Sequence, residues 1–246
     1  SISADYPPYF AAIRGARMYN GILYYINASR GLEVIDVSNP GSPSFIFELP
    51  NPSGVSANDL KDIRIIGNYI YMCADQGSEF SILDISSGLM SATEVGSHTS
   101  AIADYNASKM AIKGDYAYLA SSSGSRIVPM NISDPTNPNR TGTSTLQNGA
   151  TGNLMTKPVD IEIVGDYAFV IAETSDSFVV LDIATNPAAP AYVTALQHGV
   201  GGVTLDGPTD LEIKGNVAYV TSKNSNSLTL IDISNPTAPA QLGVIT

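Results

Sequence analysis

The sequence predicts an all-β chain, a five-bladed β-propeller with four antiparallel strands in each blade. Three observations predict it. First, one motif recurs five times: Leu32–Pro43 (LEVIDVSNPGSP), Phe80–Gly88 (FSILDISSG, a shortened copy), Ile127–Pro138 (IVPMNISDPTNP), Phe178–Pro190 (FVVLDIATNPAAP) and Leu228–Pro239 (LTLIDISNPTAP). Second, a two-residue Asn-Gly, Gly-Asn or Gly-Asp unit between alternating apolar runs precedes every copy, with Asn20, Gly67, Gly114, Gly165 and Gly215 recurring at intervals of 47, 47, 51 and 50 residues. Third, there is no convincing helical stripe of a dozen residues or more.

Each element follows from local chemistry. The Gly/Asx pairs tolerate the positive φ of a tight hairpin, so every repeat opens with two paired strands. The motif supplies a third strand: Val, Ile, Leu and Phe alternate up to an Asp or Asn, and an Asx-Pro turn then stops the pairing. The residues after that turn alternate again and supply the fourth. In the last repeat the four strands are expected near 209–214, 217–222, 227–233 and 239–245. A period of this length with several short strands is a propeller blade. A lone sheet that is apolar on both faces cannot shield itself, whereas blades stacked face to face bury both. Blades are expected near 13–50, 58–97, 107–146, 158–196 and 208–246, with residues 1–12 as an N-terminal extension packed on the ring.

Composition narrows the function. The chain has 246 residues, 43% of them hydrophobic and 14% charged, which fits a globular domain. The net charge of −11 argues against a nucleic-acid surface and against binding to anionic membranes. No apolar run approaches the roughly 20 residues of a membrane span, so no membrane insertion is expected. Cys73 is the single cysteine and is expected to fill a strand as a small buried residue. The chain begins at Ser1, read as a processed or excised form. Low charge with abundant Ser, Thr, Asn and Gly suits export.

The copies at Leu32–Asp36, Phe178–Asp182 and Leu228–Asp232, each followed by Ile or Val, resemble the LVIVD-repeat family. The resemblance covers about residues 14–246 and implies a β-propeller of bacterial or archaeal surface or secreted proteins. It implies no shared catalytic set. Two copies depart from the pattern: Asn131 replaces the Asp and Pro129 interrupts the strand in blade three, and blade two lacks the double proline.

Two sets of polar residues stand out. Asp36, Asp84, Asn131, Asp182 and Asp232 end the motif strands, where a side-chain oxygen can accept backbone N–H groups of the following turn. Their repetition in every blade reads as structural. Asp62, Asp160 and Asp210 begin the innermost strands, with Gly15 and Lys109 in the corresponding places of blades one and three. Hydrogen bonding to neighbouring blades is the leading reading for them, a cation or water cluster at a channel mouth the second, and catalytic carboxylates the third. Asp206 and Asp210 flank a turn that is not a twelve-residue calcium loop. His98 and His198 fall in connectors of different blades. The Gly-rich stretches Leu146–Gly152 and Leu196–Gly202 resemble each other but lack a phosphate loop's Gly-Lys-Ser/Thr. Asn27, Asn106 and Asn131 match the N-glycosylation pattern.

These readings converge on a non-catalytic, secreted or cell-surface binding or assembly module. Its loops, including Asn27–Gly31, Asp75–Glu79, Ser121–Arg126, Glu173–Ser177 and Ser222–Ser227, would meet a protein partner, a second copy or a glycan. The first alternative is a lectin-like propeller, with similar pockets between blades. The second is a channel-mouth glycoside hydrolase, disfavoured by the absence of tryptophan and the lack of insertions to build a cleft. No cofactor is expected, a divalent cation such as calcium being the alternative. Tyr6–Phe10 is a candidate docking strip.

Overall fold

Alternation and turn chemistry produce five antiparallel meanders, seen in a computed structural model. The structure describes residues 13–49, 51–52, 55–56, 59–75, 80–99, 106–141, 146–147, 149 and 152–246. The expected N-terminal extension and the Tyr6–Phe10 strip lie outside these residues, as do most of the Asp75–Glu79 loop and parts of the connectors.

Blade one comprises β1 (Ile13–Tyr19), β2 (Ile22–Asn27), β3 (Gly31–Asp36) and β4 (Ser44–Glu48). Blade two comprises β5 (Leu60–Ile66), β6 (Tyr69–Ala74), β7 (Phe80–Asp84) and β8 (Thr93–His98). Blade three holds β9 (Ala107–Lys113), β10 (Tyr116–Ser121) and β11 (Arg126–Asn131), and its fourth position is filled by two short pieces, β12 (Asn139–Arg140) and β13 (Leu146–Gln147), both paired to β11. Pro129, which has no N–H, sits in β11 between the two paired stretches. Blade four comprises β14 (Pro158–Val164), β15 (Tyr167–Ala172), β16 (Ser177–Asp182) and β17 (Ala191–Gln197). Blade five comprises β18 (Pro208–Lys214), β19 (Val217–Ser222), β20 (Ser227–Asp232) and β21 (Ala240–Ile245). The strands expected in the last repeat agree with these to within a residue.

The hairpins form where the Gly/Asx pairs stand. Gly67, Gly114, Gly165 and Gly215 have φ between 55° and 61°, and in blade one Asn20 (50°) and Gly21 (76°) take the turn.

The chain divides into two compact units: blades one and two with Asp134–Pro138, and blades three to five. In the first, Tyr24, Ile26, Leu32 and Val34 of blade one interlock with Leu60, Ile63, Ile70 and Met72 of blade two. Gly96 lies where a Cβ would come within 2.1 Å of the Pro135 carbonyl, so only glycine lets that segment approach.

In the second unit blade four is covered on both faces. Ala168, Val170, Val179 and Leu181 pack towards blade three, and Phe169, Ile171, Phe178 and Val180 pack on Leu211, Ala218, Val220 and Ile231 of blade five. The corresponding outward face of blade five is more open: Tyr219, Leu228 and Leu230 are half-buried and Thr221 is exposed. Cys73 is buried, as expected.

Candidate functional site

All five innermost strands carry a bulge near their start, which re-aims the residue beside it. In blades two to five the bulge precedes Asp62, Lys109, Asp160 and Asp210. In blade one it falls one residue later, so Arg14 holds the paired position and Gly15, with φ +25°, is the extra residue. Gly15 is therefore not the counterpart of Asp62, contrary to the sequence reading. A Cβ on it would lie 3.2 Å from the Lys61 carbonyl, so the bulge of blade one packs closely on the start of β5.

In the first unit Asp62 is fully buried and ringed by guanidinium groups. Arg17 Nη2 donates to Oδ1 at 3.0 Å, and Arg64 Nη1 reaches Oδ1 at 3.0 Å and Oδ2 at 2.8 Å. Arg14 Nη1 donates to the Leu60 carbonyl at 3.4 Å. A buried carboxylate needs such compensation. The three arginines alternate along inner strands that also carry apolar residues, and sequence reasoning passed over them. The signal was their spacing: Arg14, Arg17 and Arg64 all flank the positions it did single out.

In the second unit Asp160 is 3% exposed and ties two blades together. Oδ1 accepts the amide of Ile161 at 2.8 Å, and Oδ2 accepts that of Leu211, in blade five, at 3.1 Å. Burial pushes its pKa up to about 7, while Lys109 and the two amides oppose the rise and Asp210 adds to it. Asp210 is exposed and faces Thr221 in the hairpin register, and Lys109 is half-buried. Asp206 Oδ1 accepts from Asn224 Nδ2 at 2.9 Å. Among the described residues no group of three or more His, Cys, Asp or Glu side chains is placed to hold a metal ion.

The motif residues share one geometry. Asp36, Asp84, Asn131 and Asp232 each accept, through Oδ1, the amide two residues on, at 2.7–2.9 Å. Ser38, by its hydroxyl and then its amide, holds Asp36 below the usual carboxylate range, and the Ser86 and Ser234 amides do the same for Asp84 and Asp232. Asp182 keeps this bond and, because its turn has one extra residue, adds further ones. It accepts from the Ala184 and Thr185 amides and from the Thr185 hydroxyl, and its pKa is lowered chiefly by that hydroxyl.

Asn27 is 1% exposed, so its amide is not a glycan acceptor in the folded chain. Its Nδ2 donates to Glu33 Oε2 at 3.0 Å and its Oδ1 accepts the Ser29 amide at 3.0 Å. Asn106 and Asn131 are half-buried. His198 is a structural residue: its Nδ1 accepts the Leu205 amide at 3.1 Å.

In blades three and four the turns joining second to third strands are pinned to the blade that follows. Ser125 Oγ accepts the Lys157 amide at 3.3 Å, and Asp176 Oδ1 accepts the Gly207 amide at 2.8 Å. Ser125, Asp176 and Asn226 occupy the same turn position with φ of 49°, 52° and 47°. Glu173 is gripped by Lys157 and Lys223, whose hydrogen bonds hold it below its ordinary pKa.

Repeated four-stranded meanders with this turn chemistry define the chain as a repeat protein of the five-bladed β-propeller class. The sequence matches the LVIVD repeat over residues 23–49, 57–99, 105–145, 157–196 and 208–245, and the chain belongs to that family. No curated protein matches it. Among solved structures it resembles the periplasmic gluconolactonase of Pseudomonas aeruginosa (12% identity, TM-score 0.73, covering 94% of this chain and 69% of that one). It also resembles the computationally designed Ika8 protein (12%, 0.65, 96% and 62%) and a chain of the nidogen/laminin complex (12%, 0.61, 95% and 79%). At these identities the likeness is one of fold. The chain spans less than two thirds of the designed protein's length.

Proposed function

We propose that the protein is a non-catalytic binding or assembly module, secreted or on the cell surface, that meets a protein partner through the loops at one end of its blades. The observation that carries this reading is the pinning of those loops. Turns fixed by Ser125 to Lys157 and by Asp176 to Gly207 present Ser, Thr, Asn and Gly groups in one geometry before any partner arrives. Pre-ordered loops lose less entropy on binding, so a small polar surface suffices. The low charge content, the abundance of Ser, Thr, Asn and Gly, and the family resemblance favour export.

The carboxylates support the same reading. A raised pKa is a mark of catalytic acids. For Asp160, however, the rise comes from burial, and both oxygens already hold backbone amides. Asp62 is likewise committed to two arginines. Neither is presented to a substrate, although a lactonase is among the structural neighbours.

The test is capture of partners from surface and secreted fractions by the wild type and by Ser123→Arg and Asn224→Arg, with native mass spectrometry to identify what is retained. One partner should be retained by the wild type and lost from both variants. Equal capture by all three, or turnover of a lactone or glycoside by the wild type that Asp160→Asn abolishes, would overturn the proposal.

A further inference from the structure

A cavity of about 360 Å³ opens between blades three and four, at the end of the blades opposite the pinned loops. One of its walls is the motif turn that carries an extra residue. In the repeats that carry Pro40, Pro135 and Pro236, the proline follows the motif Asp or Asn by four residues; Pro187 follows Asp182 by five. The extra residue, Thr185, is folded back onto Asp182. Ile183 and Pro187 then stand as one wall of the cavity, opposite Tyr116 and Tyr118 of β10.

The lining is chemically selective. The two tyrosine rings lie 6.3 Å apart at 27°, on the same face of one strand, and form an aromatic floor. Tyr118 is buried, and that burial, with Tyr116 beside it, pushes its pKa up to about 12, so the hydroxyl is a neutral donor. Lys113, at the rim, is already occupied: Nζ donates to Asp166 Oδ1 at 2.8 Å and to the Gly165 carbonyl at 2.6 Å. Asp115, also at the rim, is exposed, and the hairpin turn requires only its backbone.

We propose that this cavity binds one pyranose ring of a neutral carbohydrate, stacked on Tyr116 with its hydroxyls on Asp115 and Tyr118. The volume lies within the range of small-molecule sites. An apolar ring face matches the tyrosine floor, and a carboxylate with neutral hydroxyls matches an edge of sugar hydroxyls. An anionic ligand is disfavoured, because the rim cation is neutralised and the chain carries a net charge of −11. A purely aromatic ligand would leave the Tyr118 hydroxyl without a partner inside the cavity. This site is separate from the loop surface, so either assignment can fail without the other.

The experiment is saturation-transfer NMR of the whole chain with glucose, galactose, mannose and N-acetylglucosamine, and with indole as competitor. At least one sugar should receive transfer. Tyr116→Ala should weaken its binding by about tenfold and Asp115→Asn by several-fold, while Ser123→Arg leaves it unchanged. Asp115→Asn keeps the test valid if Tyr116→Ala folds poorly, because Asn68 and Asn216 occupy the same turn position in blades two and five. Absence of transfer to all four sugars, binding unchanged in a folded Tyr116→Ala or in Asp115→Asn, or indole binding tighter than every sugar would each overturn it.

Discussion

Replacing Asp160 with Asn would change how stability depends on pH, and the sign follows from the structure. Burial raises this carboxyl from an ordinary 3.8 to about 7, so the folded chain holds the proton more tightly than the unfolded chain does. The folded state is therefore relatively favoured below pH 4, and stability falls as pH rises through the window from 4 to 7. Three units correspond to on the order of 4 kcal/mol, a large share of a domain's ordinary stability. Asn cannot ionise, so the fall disappears. It is replaced by a pH-independent loss of about 1–3 kcal/mol, because the amide can accept from Ile161 or Leu211 but not from both. Urea denaturation midpoints of both proteins, measured at half-unit steps from pH 4.5 to 8, give the difference directly. His98 and His198 are common to both chains and cancel. A wild-type slope equal to that of Asp160→Asn across this range would refute the assignment of the buried proton to Asp160.

Four further outcomes are expected. Val180→Ala should cost about 2–3 kcal/mol, since Val180 is fully buried between blades four and five, whereas Leu230→Ala on the open face of blade five should cost less despite losing more atoms; equal losses in denaturation would show that a further surface covers that face. Gly31→Ala should destabilise more than Gly67→Ala, because φ +107° lies outside the left-handed well that alanine can enter near the +57° of Gly67, and the exposed Asn51 side chain would also have to swing aside; thermal melts of the two would show it. Asp182→Ala should lower the melting temperature more than Asp232→Ala, having two amides and a hydroxyl to release against the single amide and hydroxyl of Ser234, and the contribution of both aspartates should vanish only below pH 4, since their pKa values are depressed. Cys73 should resist a thiol reagent such as DTNB in the native state and react fully in denaturant.

The strands were legible because their signals are local. A Gly/Asx hairpin and an alternating run ending in Asp or Asn each specify a piece of backbone without reference to anything distant, and five copies made them unmistakable. The motif carboxylates were legible for the same reason, since Asp36 and its counterparts bond an amide two residues away. What escaped the sequence lies across strand and blade boundaries. Gly15 looked like a counterpart of Asp62 by counting, but the bulge in blade one is displaced by one residue, and register, not count, decides which side chain faces which. Asn27 matched a glycosylation pattern, yet burial beside Glu33 is a property of the folded sheet and not of the triplet. The role of Asp160 rests on an amide 51 residues away, and the cavity at Tyr116 is walled by a turn of the next blade that is one residue longer than its counterparts. In a chain built from one repeated unit, the fold is written in what the copies share. Any particular chemistry must sit where the copies differ, so Thr185, Lys109 and Gly15 identify better places to look for function than the conspicuous aspartates do.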